Sequence, residues 1–198
     1  MHLARAGHEV CVYNRSAAKA QAWSAEHGGR HAPTPREAAQ GPQGTPSDHG
    51  AQLVLACVGN DDDVRAVTLG PDGAFAGMAP GSLFVDHTTT SAELARELHA
   101  AAAQRGIGFV DAPVSGGQSG AQGGVLTIMC GGHEADFGRA QPLLMAYGGA
   151  DERVPLPHGT KFYKAIKDSN PNVEWIEYED EGHGWKLPKT RIDFWGRV

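Results

Sequence analysis

The segment "EYEDEGHGW" (177–185) places His183 between two glycines, directly after a run of acidic residues. An imidazole held on such a loop can act as a general base, and a base of this kind needs a nucleophile to deprotonate. The segment contains no such nucleophile. Taken alone, it is therefore interpreted more simply as a surface loop that carries a histidine.

A second polar group, Asn14 and Arg15, ends the apolar segment "HEVCVYN" (8–14). In a βαβ dinucleotide fold the second strand ends in a residue that meets the adenosine ribose. Asn14 stands where an acid would accept from the 2′-hydroxyl, and Arg15 could contact a 2′-phosphate, which favours NADP. The alternative is a polar pair that merely ends a strand.

Short apolar runs alternate with helix-forming segments through most of the chain. The predicted strands are 8–14, 52–59, 82–87 and 107–113, and the predicted helices are 16–29, about 61–68 and 91–106. Ser91 is the expected N-cap of the last of these helices. Alternation of this kind predicts an α/β fold with a largely parallel sheet and helices on its faces.

Composition excludes several classes of function. The net charge of −6 provides no basic stripe, so we expect no nucleic-acid partner. No uninterrupted apolar stretch is long enough to span a bilayer, and the N-terminus has no signal-peptide core, which predicts a cytoplasmic protein with no membrane partner. Cys11, Cys57 and Cys130 lie in apolar runs without metal-ligand spacing, and we predict buried thiols.

The segment "FVDAPVSGGQSGAQGGVLTIMCGG" (109–132) resembles a signature of the β-hydroxyacid dehydrogenase family, which includes 3-hydroxyisobutyrate dehydrogenase. "HLARAGHEVCVYNRS" (2–16) and "VDHTTTSAELARELHAAAAQRG" (85–106) resemble the same family in the same order. The resemblance covers about residues 2–147 and implies a Rossmann-like, mostly parallel sheet that binds NADP or NAD.

The resemblance also implies where the ligands bind. The residues implied for the cofactor are Asn14, Arg15, Cys57, Val58, Gly59, Asn60 and Thr89, and those implied for the substrate carboxylate are Ser115, Gly116 and Gly117. Hydroxyl and backbone N–H donors beside glycines suit a small carboxylate. The expected partner is thus a small hydroxy-carboxylate substrate, and an oligomer is possible.

Two departures from the family pattern lower the expected activity. Only thirteen residues precede Asn14, so we expect the sheet to lack its first strand together with the GxGxxG turn. The chain also leaves the pattern before the lysine that acts as general acid or base in relatives. Lys161, Lys164 and Lys167 follow at a three-residue spacing that is typical of a solvated helix face.

Residues 143–185 are similar to the end of the prolyl oligopeptidase family of serine hydrolases. This second resemblance implies that Asp151 is the triad acid and His183 the triad base. The nucleophile should then lie upstream on a GxSxG elbow. The nearest segment, "GGQSGAQ" (116–122), has Ala121 in place of the second glycine, so the sequence supplies no serine for the pair.

The two resemblances meet near "LLMAYGG" (143–149), where tryptophans and lysines also become more frequent. We therefore expect a truncated NAD(P)-binding domain over 1–147 and a small α/β hydrolase-like fragment over 148–198. The predicted function is that of an NAD(P)-dependent β-hydroxyacid dehydrogenase, incomplete and weakly active or inactive as this chain. The alternatives are a serine hydrolase of the prolyl oligopeptidase family and a non-catalytic chimeric chain.

A fluorophosphonate probe should leave this chain unlabelled, because an unassisted serine hydroxyl is a poor nucleophile. Mass spectrometry of the probe-treated chain measures the adduct, and His183→Ala is the matched control. Labelling of Ser115 or Ser119 that disappears in the His183→Ala variant would contradict the dehydrogenase interpretation and support the hydrolase.

Overall fold

A computed structural model describes residues 1–41 and 50–144 of the chain. Several predictions fall outside these residues. They concern Asp151, His183, the three lysines of "KFYKAIK" (161–167), the C-terminal α/β fragment and most of the loop at 40–50. The chain divides into two units, Met1–Gly149 and Ala150–Val198, and all described residues belong to the first.

Helices and strands alternate along the described residues. The helices are α1 (His2–Arg5), α2 (Ala17–His27), α3 (Pro35–Gln40), α4 (Asp61–Thr68), α5 (Ala74–Gly77), α6 (Ala92–Ala103), α7 (Gly117–Gly123) and α8 (Glu134–Leu144). The strands are β1 (Cys11–Val12), β2 (Arg30–His31), β3 (Leu53–Ala56), β4 (Leu83–Asp86), β5 (Gly108–Asp111), β6 (Val114–Ser115), β7 (Thr127–Ile128) and β8 (Gly131–Gly132). Each helix and strand predicted from the sequence has a counterpart among them.

The main sheet has the strand order β3-β4-β5-β8. Strands β3, β4 and β5 run parallel, and the short β8 closes one edge antiparallel to β5. β1 and β2 form a separate parallel pair, while β6 and β7 form an antiparallel pair. Among the described residues β1 does not pair with β3.

The core lies on both faces of the main sheet. On one face Phe84 and Phe109 stack with ring centroids 6.2 Å apart, beneath α4, α5 and α6. On the other face Leu83, Val85 and Val110 pack against α8. Every residue of β4 is buried, as expected for a central strand covered by helices on both sides.

Short polar side chains begin the helices that flank the sheet. Asn60 caps α4 by accepting from the Asp63 N–H at 3.0 Å, and Ser91 caps α6 by accepting from the Leu94 N–H at 3.2 Å. Thr34 caps α3 in the same way. The predicted cap at Ser91 is confirmed, and these caps fix where each βα connection turns into a helix.

The prediction of three buried thiols is wrong. Cys11 is half-buried, whereas Cys57 and Cys130 are exposed. Cys57 lies just beyond the last residue of β3, and Cys130 just before the short β8, so neither is inside a strand. An apolar run in the sequence can thus continue past the residues that the sheet buries.

No helix within residues 1–41 and 50–144 is both long and apolar enough to cross a membrane.

Thr68→Val should raise the free energy of unfolding by about 1 kcal/mol, because the Thr68 hydroxyl is fully buried without a hydrogen-bond partner in the described structure. Valine keeps the shape and removes the unpaired polar atom. Urea denaturation measures the change. Thr34→Val is the control, and it should lower stability by about 1 kcal/mol because it removes a helix cap. A destabilised Thr68→Val chain would show that the hydroxyl has a partner.

Candidate functional site

The carboxyl ends of β3, β4 and β5 lie at one edge of the main sheet because the three strands are parallel and in register. Ala56, Asp86 and Asp111 are aligned across this edge. In open α/β sheets ligands bind outside the carboxyl ends of the strands. The residues that follow these three therefore form the candidate site.

The loop Cys57–Asn60 connects β3 to α4 and contains four of the residues predicted to hold the cofactor. Cys57, Gly59 and Asn60 are exposed, whereas Val58 is half-buried. The Val58 N–H donates to the Thr88 hydroxyl at 3.0 Å. The loop is thus held at one end by the Asn60 cap and in its middle by a residue from the neighbouring strand end.

Asn14 and Arg15 follow β1 and are both exposed. The Asn14 side-chain oxygen accepts from the Ser16 N–H at 2.9 Å. Arg15 lies 3.4 Å from the Asp63 carboxylate on the first turn of α4. The structure therefore brings the predicted ribose-binding pair beside the helix that follows the Cys57–Asn60 loop.

Asp86 ends β4 and is 1% exposed. One carboxylate oxygen accepts from the Thr88 N–H at 2.9 Å, and the other has no partner among the described residues. Burial raises the pKa of Asp86, and the hydrogen bonds from Thr88 only partly oppose this shift. Sequence reasoning missed Asp86 because a single aspartate at a strand end carries no spacing pattern.

His87 and Thr88 continue the chain beyond Asp86 and are also buried. The His87 ring donates from Nδ1 to the Ala112 carbonyl at 2.7 Å, since a carbonyl oxygen can only accept. Burial lowers the pKa of His87, so the ring is neutral at physiological pH. Thr89, the residue predicted to border the nicotinamide, is the first exposed residue after the strand.

Ser115, Gly116 and Gly117 are exposed where β6 leads into α7. Gly116 has a φ of 123° and Gly117 a φ of 61°, a backbone conformation that side chains disfavour. Ser115 pairs with Thr127 across the β6–β7 ladder, which fixes the start of this turn. The predicted carboxylate-binding residues are thus contiguous, accessible and conformationally dependent on glycine.

Further acidic groups surround the site. Asp61 accepts from both the N–H and the hydroxyl of Ser91, and these hydrogen bonds lower the pKa of Asp61. Burial and the nearby Asp86 raise the pKa of Asp111.

The Cys130 residue is exposed overall, yet partial desolvation of its thiol raises the pKa of that thiol to about 11. Its thiol is therefore protonated and weakly nucleophilic at neutral pH.

Asp86→Asn should stabilise the chain increasingly as pH rises from about 4 towards 8. A raised pKa in the folded state means that the folded chain binds the proton more tightly, so stability is lost as pH rises through that pKa. Thermal unfolding of the wild type and the variant across this range measures the difference. The exposed Asp72→Asn is the control. A difference between the wild type and Asp86→Asn that does not change with pH would contradict the prediction.

Comparison with known proteins identifies relatives of this chain. The chain is 49% identical over 146 residues to an uncharacterized oxidoreductase of Shewanella frigidimarina, an alignment that covers 74% of this chain and 47% of the relative. The chain thus spans about half the length of the curated relatives it matches.

Two solved structures share the fold. Psf3 in complex with NADP+ and 2-OPP superposes with a TM-score of 0.67 at 29% identity, covering 84% of this chain and 56% of Psf3. The 3-hydroxyisobutyrate dehydrogenase of Mycobacterium tuberculosis, with L-serine, superposes with a TM-score of 0.64 at 33% identity, covering 75% of this chain and 46% of that enzyme. The predicted Rossmann-like fold is therefore confirmed.

Two family profiles match the sequence. The profile of the prolyl oligopeptidase family matches residues 125–197, a minority of the chain that lies mostly outside the described residues. The profile of the NAD binding domain of 6-phosphogluconate dehydrogenase matches residues 1–158. The chain belongs to this family of NAD-binding domains, within the group of β-hydroxyacid dehydrogenases that its sequence resembles.

Proposed function

We propose that this chain binds NAD(P) and takes part in hydride transfer between that cofactor and a small β-hydroxycarboxylate. The observation that carries the proposal is that the loop Cys57–Asn60, Thr89 and Ser115–Gly117 each follow, within a few residues, the carboxyl end of one of three parallel strands. Apart from Val58, these residues are exposed, whereas the central strand β4 beside them is buried throughout.

The residues present fit a dinucleotide. A side chain on Gly59 would come close to the Asp63 carboxylate, so glycine lets this exposed loop approach the acid that pairs with Arg15. Arg15 is 88% exposed and could contact a 2′-phosphate, while the amide of Asn14 could donate to a ribose hydroxyl. A bound nicotinamide would supply the hydride acceptor or donor.

The substrate would be held by its carboxylate. The Ser115 hydroxyl and the backbone N–H groups at Gly116 and Gly117 are donors that suit a small anion. An added side chain at Gly117 would meet no atom within 4 Å, so there is open space beside this turn. The neutral ring of His87 adds no positive charge nearby, and specificity would rest on hydrogen bonds.

A second candidate function comes from the match of the prolyl oligopeptidase profile to residues 125–197. It would assign Asp151 and His183 as acid and base of a hydrolase, and the fluorophosphonate experiment tests it. We further propose a boundary that separates residues 1–147 from 148–198, and the division of the chain after Gly149 supports this boundary. A cytoplasmic location and an oligomeric state stay predictions.

Fluorescence titration tests the main proposal. NADPH and NADH should each saturate the wild-type chain, and Arg15→Ala should weaken NADPH binding roughly tenfold or more with little effect on NADH, because only NADPH carries the 2′-phosphate. Asp63→Asn should strengthen NADPH binding, since its carboxylate neutralises Arg15 at 3.4 Å.

Arg36→Ala is the control, because this arginine follows a different strand. Absence of saturation by either nucleotide at millimolar concentration would contradict the proposed function. Equal weakening of NADPH and NADH by Arg15→Ala would remove the role of Arg15 in cofactor choice.

A further inference from the structure

Asp86, His87 and Thr88 are polar, yet they are only 1%, 8% and 3% exposed. Buried polar side chains are unfavourable unless hydrogen bonds compensate them. We refer to these three residues as the β4 bridge, because their hydrogen bonds extend from β4 in two directions, to the loop after β3 and to the segment after β5.

In the first direction the β4 bridge reaches the cofactor loop Cys57–Asn60. The Thr88 hydroxyl accepts from the Val58 N–H at 3.0 Å. The Asp86 carboxylate accepts from the Thr88 N–H at 2.9 Å, which helps to fix the position of Thr88. The amide of Val58 is therefore held by a residue whose own backbone is hydrogen-bonded to the buried Asp86 side chain.

In the second direction the β4 bridge reaches the segment that leads to Ser115–Gly117. The His87 ring donates from Nδ1 to the Ala112 carbonyl at 2.7 Å. Ala112 is fully buried, and its N–H donates to the Asp86 carbonyl at 2.7 Å. Both polar groups of the Ala112 backbone are thus bound by the β4 bridge, three residues before Ser115.

We propose that Thr88 and His87 are positioning residues that set the two halves of the active site separately. Thr88 sets the loop that holds the cofactor, and His87 sets the segment that holds the substrate carboxylate. The inference rests on the proposed function for the identity of the ligands, but not for the coupling of each side chain to its loop. Neither side chain is exposed enough to contact a ligand itself.

If the β4 bridge served stability alone, substitution of its residues would give a different experimental result. If the β4 bridge only stabilised the core, loss of either hydrogen bond would lower the unfolding temperature and loosen both loops equally. A positioning role requires that each substitution acts on one loop and leaves the other unchanged.

Hydrogen–deuterium exchange on the full chain distinguishes the two roles without any ligand. Thr88→Val removes the hydroxyl and keeps the shape, and it should speed exchange at Val58 about tenfold while 112–117 stays unchanged. His87→Phe keeps a ring and removes the donor, and it should speed exchange at 112–117 about tenfold while 57–60 stays unchanged.

Two conservative variants are the matched controls. Thr88→Ser retains the hydroxyl, and His87→Asn can place an N–H near the position of Nδ1, so each should restore slow exchange in its own loop. In the unsubstituted chain the Val58 amide should itself be protected, a measurement that does not depend on any variant folding. Free exchange at Val58, equal loosening of both loops, or failure of Thr88→Ser to restore protection would overturn the proposal.

The ligand measurements then test the roles. Thr88→Val should raise the Kd for NADPH about tenfold, with Thr88→Ser near wild type. His87→Phe should raise the Kd for 3-hydroxyisobutyrate in the NADP+-bound chain and leave the Kd for NADPH unchanged. Absence of NADPH binding by the wild type would reject the proposed function, whereas the exchange experiment would still decide whether the β4 bridge positions the loops.

Discussion

The burial of β4 on both faces is the constraint from which the rest of the described structure follows. Leu83 and Val85 pack towards α8, and Phe84 packs towards the opposite helices. A strand enclosed in this way can pair only with neighbours that are themselves largely apolar, and β3 and β5 provide them in parallel register. The first position where the chain can use polar side chains is the end of the strand.

The site follows from this register. Because the three parallel strands end in register, the loops that follow them leave the sheet at the same edge. Beyond the last residue of β4, side-chain hydrogen bonds follow the backbone hydrogen bonds of the sheet. Thr88 bonds to the loop after β3, and His87 bonds to the segment after β5, so both segments are attached to the buried strand β4. The chemistry proposed for the exposed residues therefore depends on buried residues that do not contact the ligand.

The sequence predicts those parts of the fold that depend on local chemistry. The cap at Ser91 and the succession of strands and helices follow from residue type and spacing, and both are confirmed. The exposure of Cys57 could not be predicted in this way, because the end of β3 is decided by what packs against it. Strands β6 to β8 lie in a glycine-rich segment whose pairing depends on distant contacts.

The candidate site was predictable to a similar degree. A family resemblance located the exposed residues such as Arg15 and Ser115, since they lie in recognisable segments. The sequence did not predict roles for Asp86 and Thr88. Both residues are buried, and Thr88 is bonded to Val58, thirty residues earlier in the chain. Local sequence contains no information on either property, so the supporting residues of a site are harder to find than those that face the ligand.

The two edges of the main sheet differ in the backbone they offer to a further strand. At one edge, β8 consists of two glycines and offers little backbone for further pairing. At the other, Leu53–Ala56 pairs only with β4 among the described residues, and its remaining side carries the unpaired backbone groups that recruit additional strands. Among the described residues a further strand could therefore be added beside β3 but hardly beside β8.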